Sequence, residues 1–478
     1  MLRSARVITV GLLVAVFASL AVPLGFAVVP VVVRSLEQPE PIPEPPADER
    51  QLPPVGLTPP AQVAALDPAA PLPNPALLTS ALHAELRFEG SGVLSGVVVD
   101  AASGDVLFDD GSGNQQLPAS NQKLLTAAAV MSKLDPGRRF ETTVVAGELA
   151  NELVLVAGGD VLLSSGESDS GAVVGHAGLQ SLAEETVDAL DPADGPFNIL
   201  LDDTLFIGPT LNAGWLAGDV NAGEIAPIYP LAINSSWRDE AASRGPRSPD
   251  AALHAAAVFR EAVVVAGSEL GVEVGAEVIR SPALDGDAIQ LAGVESATVE
   301  QQVEHMLLTS DNYLAETLAR LAARASGQPA SFGGATETIE SAVGQLEVPG
   351  EGLVVSDAAG LSPRNEVSPA QLAALVRALA VSEEPGLVSI LNGLPIAGLS
   401  GTLQDRYELQ GPAASGAGLV RAKTGTLNAV TALTGYVVTT DGRLLVFSFM
   451  AGGLDGNTVA ARTAIDRAAA ALARCGCR

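Results

Sequence analysis

Residues 118–130 read Pro118-Ala-Ser120-Asn-Gln-Lys123-Leu-Leu-Thr-Ala-Ala-Ala-Val130, and this stretch governs how the rest of the 478-residue chain is understood. It has the pattern of the first turns of a helix, with a serine and a lysine three residues apart and therefore on one face. A serine hydroxyl is a weak nucleophile until a neighbouring base takes its proton. Lysine serves as that base only when burial or a nearby cation lowers its pKa. The leucines and alanines that follow would bury such a helix and supply that setting. Lysine is also scarce. Of 26 Lys plus Arg, only Lys123, Lys133 and Lys423 are lysines. Arginine cannot be deprotonated and cannot replace a lysine base. In such a chain, a lysine one turn from a serine is weak evidence for a merely solvated helix face.

Working outward, the composition sets limits. The length allows two or three domains and a large core. A net charge of −29 excludes nucleic acid as a partner, because phosphates would repel the chain. The four histidines (His83, His176, His254 and His305) show no metal-binding spacing, so neither a metal nor another cofactor is expected. Cys475 and Cys477 stand alone at the C-terminus, so no disulfide framework is expected. Residues 1–34 carry Arg3 and Arg6, an uncharged run over 7–33, and Arg34. The run is long enough to span a bilayer and longer than a signal-peptide core. An uncleaved membrane anchor is the expectation, and a cleaved signal peptide is the alternative. Either places the body outside the cytoplasm, with the N-terminus inside. Residues 35–75 are Pro-rich and acidic, the composition of an extended spacer.

The body begins with a helix over 76–86 and a hairpin pairing 95–100 with 105–108. The Ser120 helix then runs to about 134 and is stopped by Asp135-Pro-Gly137. Residues 140–285 differ in texture. Short strand-like runs, helices over 179–190 and 251–270 and a turn-rich stretch at 208–230 predict an inserted, partly β-rich domain. The flanking segments, 76–139 and 286–478, then form one discontinuous catalytic domain. Residues 298–325 are helical around a polar interruption at 309–312. A strand-like run at 353–355 and a helix over 369–379 follow. Two strands over 430–439 and 444–450 turn at Asp441-Gly442, and an Ala-rich helix over 458–474 closes the chain.

Three motifs occur in fixed order: Ser120-x-x-Lys123, Ser310-x-Asn312 and Lys423-Thr424-Gly425. Each is weak alone, but together they are the set found in β-lactamases and penicillin-binding proteins. Further landmarks are Gly158-Gly-Asp160, Asp202-Asp-Thr204, Gly360-Leu-Ser362 with Asn365, and Ser400-Gly-Thr402. With these the chain resembles the class C low-molecular-mass penicillin-binding D-Ala-D-Ala carboxypeptidases and endopeptidases, peptidase family S13, over about residues 76–475. The long gap between Lys123 and Ser310 is similar to that family's, whose members carry extra domains there. Two runs depart from its pattern. Asp357-Ala-Ala-Gly-Leu-Ser362 replaces Asp-Gly-Ser-Gly-Leu-Ser, and Val161 follows Asp160 where the family has proline.

The resemblance implies an α+β fold, a penicillin-recognising, transpeptidase-like antiparallel sheet flanked by helices, with the inserted domain added. It implies acyl transfer on peptidoglycan stem peptides and covalent inhibition by β-lactams. Lys123 would deprotonate Ser120, and Lys423, as a nearby cation, would hold Lys123 neutral. Backbone N–H groups of Ser120 and Thr426 would form the oxyanion hole. Ser310 would relay the proton to the leaving amine, and Asn312 would bind the peptide carbonyl. Lys423, Thr424, Gly425 and Thr426 would line the site of the terminal carboxylate. Two other readings remain: a β-lactamase or esterase on the same scaffold, and a non-enzymatic cell-wall sensor. Against the first, the chain has no Glu-x-x-Leu-Asn segment and no tyrosine at the start of the second motif. Against the second, no catalytic residue is missing.

Overall fold

The computed structural model describes residues 69–281, 288–408 and 410–475. The expected anchor, most of the Pro-rich spacer and Cys477 lie outside the described residues. The first sheet gathers strands from both ends of the chain: β1 (Val93–Asp100), β2 (Val106–Asp110), β8 (Arg421–Leu427), β9 (Val430–Val438) and β10 (Leu444–Gly452). Their order is β2-β1-β10-β9-β8, antiparallel throughout. The side-chain period of two sends alternate residues to opposite faces. Val98, Leu433, Phe447 and Phe449 pack with α1 (Pro75–Glu85) and with the C-terminal helix, while Val97, Val99, Ala432 and Val446 face a second core. Helices cover both faces, so the central strands read as nearly continuous apolar runs. Each fully buried Val, Leu or Phe contributes about 1.5–3 kcal/mol.

The second core is built on α2 (Gln122–Lys133), which is buried on almost every side. This is why its sequence is apolar all round rather than striped.

The second sheet contains β3 (Glu141–Ala146), β4 (Glu152–Val156), β5 (Phe197–Asp202), β6 (Val274–Arg280) and β7 (Gln290–Glu295), in the order β6-β5-β4-β3-β7. Its β4-β5-β6 part is parallel. Parallel neighbours need crossovers. These are supplied by α3 (Leu179–Asp188) and α4 (Ala251–Gly267), which pack on the sheet through Leu182 and Phe259.

Two expectations need correction. The sequence reading ended the insert at 285, but β7 lies beyond that point and pairs antiparallel with β3, Glu141 facing Glu295. The strand-like run at 353–355 forms only an isolated bridge, Val354 to Glu366. The insert is also not a separate body. Val161, Leu162, Trp215, Ile225 and Ile228 belong to the same core as α2. That core is completed by α5 (Val299–Thr309), α6 (Asn312–Ala325), α7 (Phe332–Gln345) and α8 (Pro369–Ala380), with α9 (Thr458–Ala473) on the far side of the first sheet.

Candidate active site

Ser120 lies in a short 3-10 turn, Ala119–Asn121, that leads directly into α2. Ala119 adopts φ 47°, a left-handed conformation rare for a residue with a side chain. Two glycines make room for it. A Cβ on Gly425 would sit 2.7 Å from the Pro118 carbonyl oxygen, and one on Gly360 would sit 1.9 Å from that of Ala119. The glycine of Lys423-Thr-Gly425 thus lets β8 approach the nucleophile turn. Asn121 Nδ2 donates to Thr434 Oγ1 at 2.9 Å, tying the turn to the sheet.

Lys123 is wholly buried. Its Nζ donates to Ser120 Oγ at 3.3 Å, Asn312 Oδ1 at 2.6 Å and the Ala359 carbonyl at 2.7 Å. Burial lowers its pKa to about 8, against the upward pull of Asp357, Asp311, Glu316 and Glu224. At pH 7 about one molecule in ten therefore carries a neutral amine there. Lys423 is also wholly buried, and its Nζ donates to Ser310 Oγ at 2.9 Å. The expectation that Lys423 acts as a fixed cation is revised. Burial first, then repulsion from Lys123 and Arg406, pulls Lys423 itself well below its usual value. Burial is the largest cause of the low pKa of Lys123, and the two buried ammonium groups disfavour each other.

Ser310 ends α5 with φ 62°, and Asp311 caps α6 by accepting from Leu314 N at 3.1 Å. This sharp corner brings Ser310 to Lys423 and Asn312 to Lys123. The amide of Asn312 is engaged at both ends, since its Nδ2 donates to the Glu224 carbonyl at 2.9 Å. It therefore holds the base at the edge of open space. On β8 the strand period separates Lys423 from Thr424 and Thr426. The Thr424 hydroxyl is buried against Thr402 Oγ1 at 2.7 Å, whereas Thr426 is exposed. A cavity of about 550 Å³ opens beside Ser310, Asp311 and Asn312, walled by Glu224, Arg247 and His305.

The structure therefore gathers all three motifs around one point. It adds groups the sequence reading did not place: Glu224, Thr402, the Ala359 carbonyl and Asp357. The Asp357 carboxylate accepts from the N–H groups of Gly360 (2.7 Å), Leu361 (3.0 Å) and Ser362 (2.6 Å), from Asn365 Nδ2 (2.8 Å) and from Trp215 Nε1 (2.9 Å). Ala358 and Ala359 make their polar contacts through backbone atoms alone, so alanine suffices at both departing positions of the 357–362 run. Thr402 could have been found from the Ser400-Gly-Thr402 landmark.

A serine beside a buried, depressed lysine, with a second serine and lysine facing them, is an arrangement chemically able to carry acyl transfer. The chain is 33% identical over 419 residues to "Carboxypeptidase DacB" of Mycolicibacterium smegmatis, covering 87% of this chain and 88% of that protein. It is 30% identical over 438 residues to a D-alanyl-D-alanine carboxypeptidase of an Actinomadura species, covering 76% and 79%. The crystal structure of penicillin binding protein 4 from Haemophilus influenzae shares the fold, with a TM-score of 0.63 and 21% identity over 83% of this chain and 98% of that one. The model of the D-Ala-D-Ala carboxypeptidase 3 (S13) family matches residues 78–245 and 238–474, and the chain belongs to that family.

Proposed function

We propose that Ser120 is the acylated nucleophile of this serine-type D-Ala-D-Ala carboxypeptidase of peptidoglycan, with Lys123 as its base. The observation that carries the assignment is the 3.3 Å contact between Ser120 Oγ and a buried Lys123 whose pKa falls to about 8. Neutral Lys123 Nζ takes the Ser120 proton as Oγ bonds to the carbonyl carbon of the penultimate D-Ala. Backbone N–H groups of Ser120 and Thr426 hold the oxyanion, a contribution of several kcal/mol in comparable sites. The C–N bond then breaks. Ser310, hydrogen-bonded to Lys423, relays to the departing amine the proton that Lys123 took from Ser120. Water hydrolyses the ester and frees Ser120. Lys423, Thr424, Gly425 and Thr426 bind the terminal carboxylate end of the substrate. Asn312 meets the peptide carbonyl once substrate displaces part of its present bonding.

β-Lactams would acylate the same serine and inhibit the enzyme covalently. The chain works outside the cytoplasm, and residues 7–33 are its proposed membrane anchor. A second reading, cleavage of cross-links, is favoured by one observation. The 550 Å³ cavity beside Ser310 gives room for a leaving amine that carries a second stem peptide.

The test uses the full chain and a pentapeptide ending in D-Ala-D-Ala. Wild type releases D-Ala and gains the mass of one penicillin on the peptide containing Ser120, while Ser120→Ala does neither. Labelling elsewhere, or D-Ala release by folded S120A, overturns the assignment.

A further inference from the structure

Helix α6 carries Asn312, Glu316 and Arg320 at four-residue intervals, so all three lie on one face. Asn312 touches the base. Glu316, one turn on, touches neither Lys123 nor open space and is wholly buried. A buried carboxyl group with no direct ion pair is costly, so its contacts need an account. Its Oε1 accepts from Ala358 N at 2.8 Å and Ala359 N at 2.9 Å. The carbonyls of the same two residues point the other way, onto α2. Ala358 O accepts from Thr126 Oγ1 at 2.7 Å, and Ala359 O accepts from Lys123 Nζ at 2.7 Å.

The 358–359 turn is thus held between two helices. Glu316 pulls on its N–H groups, and the Ser120 helix receives its carbonyls. One protein oxygen does this holding, because Oε2 has no hydrogen-bond partner among the described residues.

We infer that Glu316 is a positioning residue for the reaction: by fixing the Ala358 and Ala359 amides it keeps the Ala359 carbonyl on Lys123 Nζ and so aims the base at Ser120. The inference rests on Lys123 being the base. Its logic is reach rather than charge. Burial, with a contribution from Asp357 and against the pull of Arg320, raises the Glu316 pKa to about 8, so near neutrality the group is mostly an uncharged acid. An amide can accept the same two N–H bonds. A shorter carboxylate cannot, since one missing methylene withdraws the oxygen by about 1.5 Å.

The test is Glu316→Gln beside Glu316→Asp in the full chain. Stopped-flow acylation by fluorescent penicillin separates non-covalent affinity from the acylation rate, and melting curves confirm folding. E316Q should acylate within about threefold of wild type. E316D should lose about a hundredfold in acylation rate, the scale of an ångström-sized misplacement, with affinity changed less than about threefold. The reverse order, with E316D active and E316Q impaired, would show that charge matters and overturn the inference. Equal activity in both variants would do the same. If wild type itself is not acylated at Ser120, or Lys123→Ala acylates normally, the underlying base assignment fails instead.

Discussion

The substitution Asn312→Asp replaces the acceptor closest to Lys123 with a carboxylate while keeping its shape. The contact is 2.6 Å. At an effective dielectric constant near 20, unit charges at that separation attract by about 6 kcal/mol, which corresponds to about four pKa units. Part of this is lost. The new carboxylate would face the Glu224 carbonyl, now 2.9 Å from Nδ2, and would adjoin Asp311, and both resist its ionisation. A net rise of about three units for Lys123 is the working figure. The neutral fraction at pH 7 then falls from about one in ten to about one in ten thousand, and acylation slows about a thousandfold. The assay is acylation by fluorescent penicillin from about pH 6 to about pH 10. Wild type should show a rate rising with pH and levelling above about 8, where Lys123 is neutral. The variant's limb should move alkaline by about three units, so that its rate is still climbing at the top of the range. A variant that merely lost a substrate hydrogen bond would keep its limb near 8 with a lower plateau. That result would refute the role of Lys123 burial in the mechanism.

Other consequences are open to measurement. Gly425→Ala places a Cβ 2.7 Å from a backbone oxygen, so the nucleophile turn must shift. Penicillin acylation should fall by about tenfold or more while far-ultraviolet circular dichroism is unchanged. Asp100 and Arg443 form a buried ion pair that, among the described residues, makes no hydrogen bond to Ser120, Lys123, Ser310 or Lys423, with Arg443 Nη2 2.6 Å from Asp100 Oδ2. Asp100→Asn should cost about 3 kcal/mol in urea unfolding with D-Ala release per folded molecule unchanged. Lys123 binds its proton less tightly in the folded chain (about 8) than in the unfolded chain (10.5), so the unfolded state holds more protons between those values. That contribution to stability is complete above about 10.5 and lost as pH falls through 8. Relative to Lys123→Met, wild type should therefore gain about 3 kcal/mol from pH 8 to 10.5 in denaturant melts.

The sequence made the pairing of Ser120 with Lys123 legible because three-residue spacing on a helix is local geometry. The central strands were legible through their apolar, β-branched runs. Edge elements were harder to read. β6 is mostly exposed or half-buried, and β7 carries Ala292-Gly293 at its centre, so neither shows a clean alternation. Helix α7 opens on Phe332-Gly-Gly334, which reads as loop, and forms because Ser331 caps it by accepting from Gly334 N and because Ile339 and Val343 are buried against α2 and α6. The contacts of Lys123 with Asn312 and Ala359 span 189 and 236 positions. One of them ends on a backbone carbonyl, which no residue type announces. The double engagement of Asn312 is likewise invisible without the Glu224 carbonyl that the insert delivers.

The insert leaves and re-enters the catalytic fold side by side, Glu141 paired with Glu295, so the host domain could be closed by something as short as a hairpin. Yet residues between those ends reach back, and Glu224 grips the far side of the amide that holds the base. The same amide is thus shared between two parts of the chain, and a substitution that displaces the Glu224 carbonyl would loosen Asn312 against Lys123 without touching either motif.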